Sequence, residues 1–513
     1  MLKFLALIRR PTLSENIYLL GLSLLAAALP FSMFLMSVSQ FILLAGWIIG
    51  GNYREKLGRF WQNKPAVVFS SIYFLHLIGF AYTSDINAGL NDLRVKLPLL
   101  ILPFAISGMP GISRKNLSVL LWVFVASVIV NTLIVSFNGS WLFISPIRFS
   151  MMACFAFFVL LYFFASQNEI WKKAGLVVSL SWLGVFLFRW QYETGIVTFI
   201  SGLFFTPFYL CFRVRKHSLK IALAVWMAAI PLVVSVIVYS AVKNFYENVA
   251  SEIISPNEVT ANGEPYEHHP DRKDLENGNY TWRYIAQNEL KNAWSQRSEL
   301  EIEGTDKRGN QLRATLIRFL TSKGLKKDED GVTRLTDDEV KAVETGIANV
   351  RYMDGMSLED RLYETIWSIY HYHIGNNPQD NSVTQRFEFW KAGWGAFFEA
   401  PVFGHGTGSV KFSLDKQYEA IKTPLDKRHR MKTHNQYLST AVALGGVGFA
   451  WLLLSLLFPL FCERNYSNYL FAVFLLIVMI AMLVEDTLET QAGVTFTAFF
   501  ISLLLFSRGD VRQ

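Results

Sequence analysis

The stretch LLWVFVASVIVNTLIVSF, Leu120–Phe137, runs for 18 residues without one charged side chain. A hydrocarbon core about 30 Å thick needs roughly 20 apolar residues of helix, so this stretch predicts a membrane span. Similar segments recur along the chain, about twelve in all on the same length criterion. They begin near Ile17, Leu35, Ala66, Leu97, Leu117, Met151, Ala174, Thr194, Ile221, His434, Tyr469 and Val494.

The composition agrees with a membrane protein. Of 513 residues, 52% are hydrophobic and 17% are charged, whereas soluble domains carry about 25% charged residues. The charges concentrate in short connectors and in one polar block. We therefore predict an all-α polytopic membrane bundle with helices 1–9 in residues 1–242, a large and mostly helical periplasmic loop in 243–432, and helices 10–12 in 433–513.

The distribution of Lys and Arg predicts the orientation. One set of alternate short connectors holds about 18 of them and the other about 4, and the richer side is normally cytoplasmic. Both termini are then cytoplasmic, and the polar block lies on the opposite side of the membrane. For the inner membrane of a bacterium, that side is the periplasm. The N-terminal apolar run is expected to be an uncleaved first span, because no clear small-residue cleavage site follows it.

Local patterns in the polar block predict helices. Thr336 and Glu339 have the spacing of a capping box before an amphipathic run. The stretch LEDRLYETIWSIYHY, Leu358–Tyr372, also has helical spacing of its apolar residues.

The net charge of +7 raises the question of nucleic-acid binding. The basic residues lie beside the apolar segments instead of forming a basic face, so no nucleic-acid partner is expected. The three cysteines, Cys154, Cys211 and Cys462, lie in or beside apolar segments, which argues against a disulfide framework and a cysteine zinc site.

His434 starts the tenth span and is followed after ten residues by Gly445. An imidazole at the membrane surface can act as a general base near neutral pH. The alternative is an interfacial histidine that caps the helix.

Arg386 precedes a run rich in Phe and Trp that ends in the glycine turn Pro401–Gly406. Its guanidinium could hold a phosphate bidentately, or it could extend to lipid headgroups. The turn is not a P-loop, because no Gly-Lys-Ser or Gly-Lys-Thr follows.

Three further groups are candidates for substrate binding: Arg189, the pair Arg428 and Arg430, and the pair Glu485 and Asp486. Arg189 lies in a very short connector, where a charge is expensive; an ion pair with Glu193 is the alternative. Glu485 and Asp486 stand with Glu489 in the last periplasmic connector, which lacks Lys and Arg. These acids could position an acceptor sugar, pair with Arg386, Arg428 or Arg430, or simply be solvated.

The metal signals are weak. The pairs His268–His269 and His371–His373 lack the carboxylate spacing of a zinc site and are expected on the surface. The segment Asp328–Val332 lacks most ligands of a calcium loop and is expected to be a turn. No metal is expected.

Three motifs together resemble the O-antigen ligase and polymerase superfamily. They are Arg-x-x-x-Trp at Arg386, Pro-x-x-Gly-x-Gly at Pro401, and His434 with its glycine ten residues further on. The order of spans and the loop before the tenth also match, and the resemblance to the bacterial O-antigen ligase is closest. The stretches NGNYTWRYIAQNEL, TLIRFLTSKGLKKD and EDTLETQAGV are further similar to the O-antigen ligase-like proteins of Bacteroidetes.

This resemblance implies a glycosyltransferase of lipopolysaccharide biosynthesis that uses no metal, nucleotide or other cofactor. Its donor would be a glycan on undecaprenyl diphosphate and its acceptor the lipid A-core. By the same resemblance, Arg386 would bind the donor diphosphate and His434 would activate the acceptor hydroxyl. In the family, a second arginine precedes a glycine at the periplasmic start of a span. This chain has Glu193-Thr194-Gly195 at that place, so the resemblance implies that Arg189 replaces the arginine from nearly one helical turn away.

Other activities are compatible with the sequence. An O-antigen or capsule polymerase uses the same donor but a lipid-linked acceptor, and a related enzyme would transfer the glycan to protein. A polysaccharide transporter is less expected, because the notable charges lie at the periplasmic edge and no internal repeat is visible.

Overall fold

The computed structural model describes residues 12–139, 144–190, 193–247, 249, 258–355, 357–375, 378–462 and 468–506. The basic residues at the two ends of the chain, on which part of the predicted orientation rests, lie outside these ranges. The described chain is almost wholly helical, and its strands are one hairpin of two residues on each side. The predicted all-α class is confirmed.

The chain divides into two compact units. Unit 1 comprises the residues up to Ala228 and from Arg386 onward, and unit 2 comprises Ala229–Gln385. The predicted boundaries at 242 and 432 concern membrane topology, which is a different property, and they stay predictions.

Unit 1 contains two sets of helices. Those before the polar block are α1 Leu13–Ala28, α2 Met33–Ile49, α3 Tyr53–Gln62, α4 Lys64–Phe80, α5 Ile86–Lys96, α6 Pro98–Gly108, α7 Arg114–Asn138, α8 Pro146–Ser166, α9 Ile170–Trp190, α10 Glu193–Cys211 and the first part of α11 His217–Glu247. Those after it are most of α17 Ser382–Glu399, then α18 Val410–Ala420, α19 Gln436–Phe461, α20 Tyr469–Val484 and α21 Gln491–Ile501.

Six described helices are long and apolar enough to cross a membrane, namely α7, α8, α9, α10, α11 and α19. Helices α2 and α3, bent by 117° to each other, would give a seventh. Four shorter apolar helices are Leu13–Ala28, Lys64–Phe80, Tyr469–Val484 and Gln491–Phe506. The chain is therefore a helical membrane protein. A helix stands at each of the twelve predicted positions, but the count of twelve spans stays a prediction because several of these helices are short.

The core of unit 1 is aromatic. Phe124, Phe155, Phe474, Phe496 and Phe500 pack edge to face or tilted, with ring centroids 4.7–6.3 Å apart. All five are almost fully buried. Such pairs add about 0.5–1.5 kcal/mol each beyond burial, so this cluster holds α7, α8, α20 and α21 together.

Helix α19 is broken at Gly445, whose φ is +67°. The glycine turn inserts there: the carbonyls of 442 and 443 accept from the N–H groups of 405 and 406, while the N–H groups of 446 and 447 donate to the carbonyls of 401 and 402. These bonds replace those that the helix loses at the break. The break thus separates the segment that begins just after His434 from the rest of α19.

Unit 2 is a small helical domain with the hairpin. Its elements are the end of α11, β1 Leu275–Glu276, β2 Asn279–Tyr280, α12 Gln287–Arg297, α13 Leu312–Ser322, α14 Glu329–Thr333, α15 Asp337–Glu344, α16 Leu358–His373 and the start of α17. The predicted capping box at Thr336 and Glu339 is confirmed, and so is the helix in Leu358–Tyr372. The expected turn at Asp328–Val332 is wrong, because Asp328 caps the short helix α14 through the Gly331 N–H.

Candidate functional site

The side chains of the candidate site come from four places in unit 1. Arg386 lies in the second turn of α17, and Glu193 is the first residue of α10. His434 lies two residues before α19. Glu485 and Asp486 follow α20 directly. The ends of different helices bring these groups together, so no single stretch of sequence contains the whole set.

Glu485 bridges Arg386 and His434. Its Oε1 lies 3.3 Å from Arg386 Nη2, and its Oε2 lies 3.6 Å from His434 Nδ1. Arg386 Nη1 also contacts Glu193 Oε2 at 3.3 Å. A carboxylate beside Nδ1 favours the imidazole tautomer that carries its proton there, which leaves Nε2 as the basic nitrogen. The side chain of Glu485 is 4% exposed and that of His434 is 32% exposed, so the carboxylate is enclosed while the imidazole reaches solvent.

Asp486 holds the backbone that carries His434. The His434 N–H donates to Asp486 Oδ2 at 2.9 Å, and Ser439 Oγ donates to Oδ1 at 2.7 Å. His434 has φ +47°, a conformation that costs a non-glycine residue free energy and needs support from its surroundings. Burial, followed by the neighbouring Glu489, raises the pKa of Asp486. The carboxyl group therefore works as a hydrogen-bond anchor for an unusual backbone turn.

The capping alternative for His434 is wrong. Asn435 is the N-cap of α19, because its side-chain oxygen accepts from the Leu438 N–H at 3.1 Å. The imidazole stacks on Phe389 instead, with ring centroids 5.5 Å apart and planes inclined by 28°. The ring is thus oriented by Phe389 on one side and by Glu485 at Nδ1.

Glu489 forms a second charged cluster next along the same connector. Its carboxylate contacts Lys96 Nζ and Lys432 Nζ, each at 2.8 Å. Burial alone would raise the pKa of Glu489, but the two ammonium groups outweigh it and hold that pKa well below the ordinary value. Glu489 in turn raises the pKa of Lys432. Lys96 also pairs with Asp92.

Gln436 and Arg148 complete the fixation of this connector. The Leu488 N–H donates to Gln436 Oε1 at 2.6 Å. Arg148 Nε donates to Thr490 Oγ1 at 2.8 Å. The connector is thus held from α19 and α8, which makes its acidic side chains a preorganised set.

The other predicted arginines lie apart from this cluster. Arg430 pairs with Glu419 and donates to the Leu425 carbonyl at 3.1 Å. Arg428 is 77% exposed, with Asp426 at 3.9 Å. Neither contacts Arg386, His434, Glu485 or Asp486.

Arg189 is exposed near the end of α9 and makes no ion pair with the residues that the structure describes. Glu193, the alternative partner for Arg189, pairs with Arg386 instead. Arg189 therefore stands in none of the contacts that define the site.

Sequence reasoning missed several members of the site. Sequence patterns indicate Glu193 only as a partner of Arg189 or as a departure from the family arginine, they indicate Lys96 and Arg148 only through topology, and they do not single out Lys432. One signal is available for two of the cations: Lys96 and Arg148 are basic residues in short connectors on the side that is otherwise poor in Lys and Arg. That bias singles out cations kept for a reason other than orientation.

The metal expectations can be compared with the described residues. Within the described ranges, no group of three or more His, Cys, Asp or Glu side chains has the geometry to hold a metal ion. The expected surface position is wrong for His371, which is 6% exposed. Its Nε2 accepts from the Leu275 N–H at 3.3 Å and its Nδ1 lies 2.8 Å from the Trp367 carbonyl oxygen.

Comparisons with known proteins match a segment that contains part of this site. The family model described as "O-Antigen ligase" matches residues 353–453, which include Arg386, the glycine turn, His434 and Gly445. A protein of Haemophilus influenzae that is described as uncharacterized is 34% identical over 89 residues. This match covers 17% of the chain and 22% of that relative. The matched family confirms the superfamily that the motifs predicted.

Proposed function

We propose, from the membership of this chain in the O-antigen ligase superfamily, that it is a membrane glycosyltransferase. It transfers a glycan from undecaprenyl diphosphate to the lipid A-core oligosaccharide at the periplasmic face of the bacterial inner membrane. Both termini are then cytoplasmic, and the polar block is periplasmic. The observation that carries the proposal is the bridge of Glu485 between Arg386 and His434.

Arg386 and His434 have complementary tasks in this reaction. The acceptor hydroxyl oxygen attacks the anomeric carbon while the bond from that carbon to the phosphate oxygen breaks. The electron pair of that bond stays on the leaving diphosphate, where the guanidinium of Arg386 stabilises the charge. The hydroxyl proton passes to His434 Nε2, and Glu485 stabilises the imidazolium that forms. A single displacement of this kind inverts the anomeric carbon.

Glu485 also pairs with the charge of Arg386 before the donor binds. Two carboxylates, Glu193 and Glu485, neutralise the guanidinium in the structure. A diphosphate carries more charge than either and accepts bidentate hydrogen bonds, so it competes for the same donors. Asp486 supports the His434 backbone and is a positioning residue. Arg189, Arg428 and Arg430 do not contact this cluster, and their roles in substrate binding stay predictions.

The test is transfer in vitro with purified enzyme, lipid-linked glycan and lipid A-core. We expect Arg386→Ala and His434→Ala each to slow transfer at least about a hundredfold. Glu485→Gln keeps the shape but removes the charge, so its rate should lie between those of the wild type and His434→Ala. Lys416→Ala is the matched control, because Lys416 is 62% exposed and pairs with Glu399 away from the site.

The same assay separates the alternatives. Product formed in the presence of a chelator supports metal-independent transfer. Product only on a lipid-linked acceptor would mean a polymerase, and product only on protein would mean a protein glycosyltransferase. Wild-type rates in both Arg386→Ala and His434→Ala would refute the site, and translocation of the lipid-linked glycan without transfer would refute the enzyme.

A further inference from the structure

Unit 2 contains a cavity of about 340 Å³ that none of the motifs or comparisons accounts for. Its volume is at the lower end of the range for small-molecule sites, about 300–1,000 Å³. The hairpin β1–β2 and helices α13 and α16 provide most of its walls. The lining residues are Arg272, Asp274, Glu276, Thr281, Trp282, Arg318, Glu364, Trp367, Ser368, His371, Tyr372, Pro378, Asn381 and Thr384.

Each charged side chain of the lining has an oppositely charged partner. Arg272 Nε lies 3.4 Å from Asp274 Oδ2, and Arg318 Nε lies 2.6 Å from Glu276 Oε1. The third carboxylate, Glu364, pairs with Arg361 at 3.1 Å. A lining of paired charges gives no net attraction to a phosphate or to a metal cation, so the cavity suits an uncharged ligand.

His371 adds no charge to this lining. Burial lowers its pKa to about 4. Its Nε2 also accepts the Leu275 N–H, which only the unprotonated nitrogen can do. The imidazole is thus neutral at physiological pH, and its Nε2 holds the hairpin to α16.

The lining combines indole rings with oriented polar groups. Arg272 stacks over Trp282 at 3.7 Å, and Arg318 stacks over Trp367 at 4.7 Å, measured to the ring centroids. Each guanidinium is therefore fixed against an aromatic wall. Arg318 has only its Nε bonded among the described side chains, which leaves its terminal N–H groups available as donors.

Two more polar groups lack partners within the described chain. They are the hydroxyl of Thr281, a residue that is 2% exposed, and the indole N–H of Trp282. Buried polar groups without partners are uncommon and call for an explanation, such as a bound ligand or water. Both residues line the cavity.

We propose that this cavity is a saccharide-binding site that takes an uncharged sugar unit of a glycan. Sugar rings present hydroxyl groups that both donate and accept hydrogen bonds. The paired arginines and carboxylates, the Thr281 hydroxyl and the Trp282 N–H provide donors and acceptors that match such hydroxyls. The inference deepens the proposed function and rests on it for the identity of the glycan, which is either the donor chain or the core acceptor.

The experiment measures binding of free oligosaccharides to the purified full chain in detergent micelles by saturation-transfer NMR and calorimetry. The probes are the repeat-unit oligosaccharide released by mild acid from the donor, the deacylated core oligosaccharide, and inorganic diphosphate. The cavity variants are Arg272→Ala, whose side chain is 49% exposed and so tolerates removal, and Thr281→Val, which deletes only the hydroxyl. Arg334→Ala is the matched control, because Arg334 is 63% exposed and pairs with Asp330 outside the cavity.

We expect one of the two oligosaccharides to bind, and the one that binds identifies the glycan. Each cavity variant should raise its Kd about three- to tenfold, the effect of losing one hydrogen bond, while Arg334→Ala leaves it unchanged. Binding of neither oligosaccharide, binding of diphosphate alone, or the same Kd in both cavity variants as in the control would overturn the inference.

Transfer assays on the same proteins separate this inference from the proposed function. If the saccharide site is real, His434→Ala loses transfer but binds the oligosaccharide as the wild type does, and the cavity variants raise KM more than they lower kcat. A wild type that binds the oligosaccharide without transferring glycan refutes the proposed function alone. A wild type that transfers normally while the cavity variants bind normally refutes the saccharide site alone.

Discussion

Neutralising Glu489 should destabilise the protein far more than neutralising an exposed acid. Its carboxylate lies between two ammonium groups, Lys96 and Lys432, and is itself 12% exposed. Glu489→Gln keeps the size of the side chain and removes only its charge. Lys96, whose side chain is 1% exposed, would then keep Asp92 as its remaining anion.

The expected magnitude follows from the distances. At 2.8 Å from each lysine, each attraction is about 6 kcal/mol at an effective dielectric constant of 20. Desolvation of the charges offsets much of this, and breaking a buried pair costs about 3–5 kcal/mol in practice. Lys96 retains Asp92, and Lys432 is 42% exposed and can be solvated. We therefore expect the lower end, a loss of about 3 kcal/mol in the free energy of unfolding.

The assay is a reversible SDS titration of the purified protein in detergent micelles, followed by circular dichroism. Glu399→Gln is the control. Glu399 pairs with Lys416 at 3.0 Å, but the Glu399 side chain is 35% exposed and that of Lys416 is 62% exposed. An exposed pair contributes about 0–1 kcal/mol. Equal and small losses in the two variants would show that the Glu489 cluster does not hold the site together.

The pH dependence gives a second measurement on the same variant. The folded state holds the pKa of Glu489 well below its ordinary value of 4.5. Its contribution to stability is thus present above pH 4.5 and is lost as the pH falls through the folded pKa. Glu489→Gln should lack this part of the acid destabilisation, whereas the wild type should show it.

Two further substitutions test the break in α19 and the hairpin of unit 2. In Gly445→Ala, the new Cβ would lie 2.1 Å from the Val402 carbonyl oxygen at a φ of +67°. We therefore expect the free energy of unfolding to fall by more than about 1 kcal/mol and the transfer activity to be lost. Gly184→Ala, where nothing lies within 4 Å, should leave thermal stability unchanged or higher; equal melting temperatures for the two variants would contradict the role of the break. His371 has a folded pKa of about 4 against 6.5, so it binds a proton more readily when unfolded, and stability should fall by about 3 kcal/mol from pH 6.5 to pH 4. His371→Gln should flatten this slope in hydrogen exchange of unit 2, and an unchanged slope would contradict the assignment.

Much of the fold could be predicted because long apolar stretches have few alternatives to helices in a membrane. The helix starts predicted near Leu117, Met151 and Tyr469 lie within five residues of the observed starts at Arg114, Pro146 and Tyr469. The capping box at Thr336 was visible because a cap is a local pattern. The break at Gly445 was not, since it depends on a turn some 40 residues earlier in the chain.

The candidate site was only partly predictable for the same reason. His434, Arg386, Glu485 and Asp486 stood out by type and position, and they meet in the structure. Arg428 and Arg430 have the same charge as Arg386 and equally suitable positions in sequence, but they pair with local acids. Sequence spacing contains no information on which carboxylate each arginine reaches.

The sequence by itself determined that the chain is helical, that it is a membrane protein, and which superfamily its motifs resemble. Hydrophobic length, charge and motif order are local properties, and each is complete in a stretch of chain. Only the tertiary structure decided that Glu485 lies between Arg386 and His434, that Glu193 faces Arg386 and not Arg189, and that the polar block encloses a neutral cavity. Those contacts join residues far apart in the chain, and packing selects among them because a buried charge without a partner is costly.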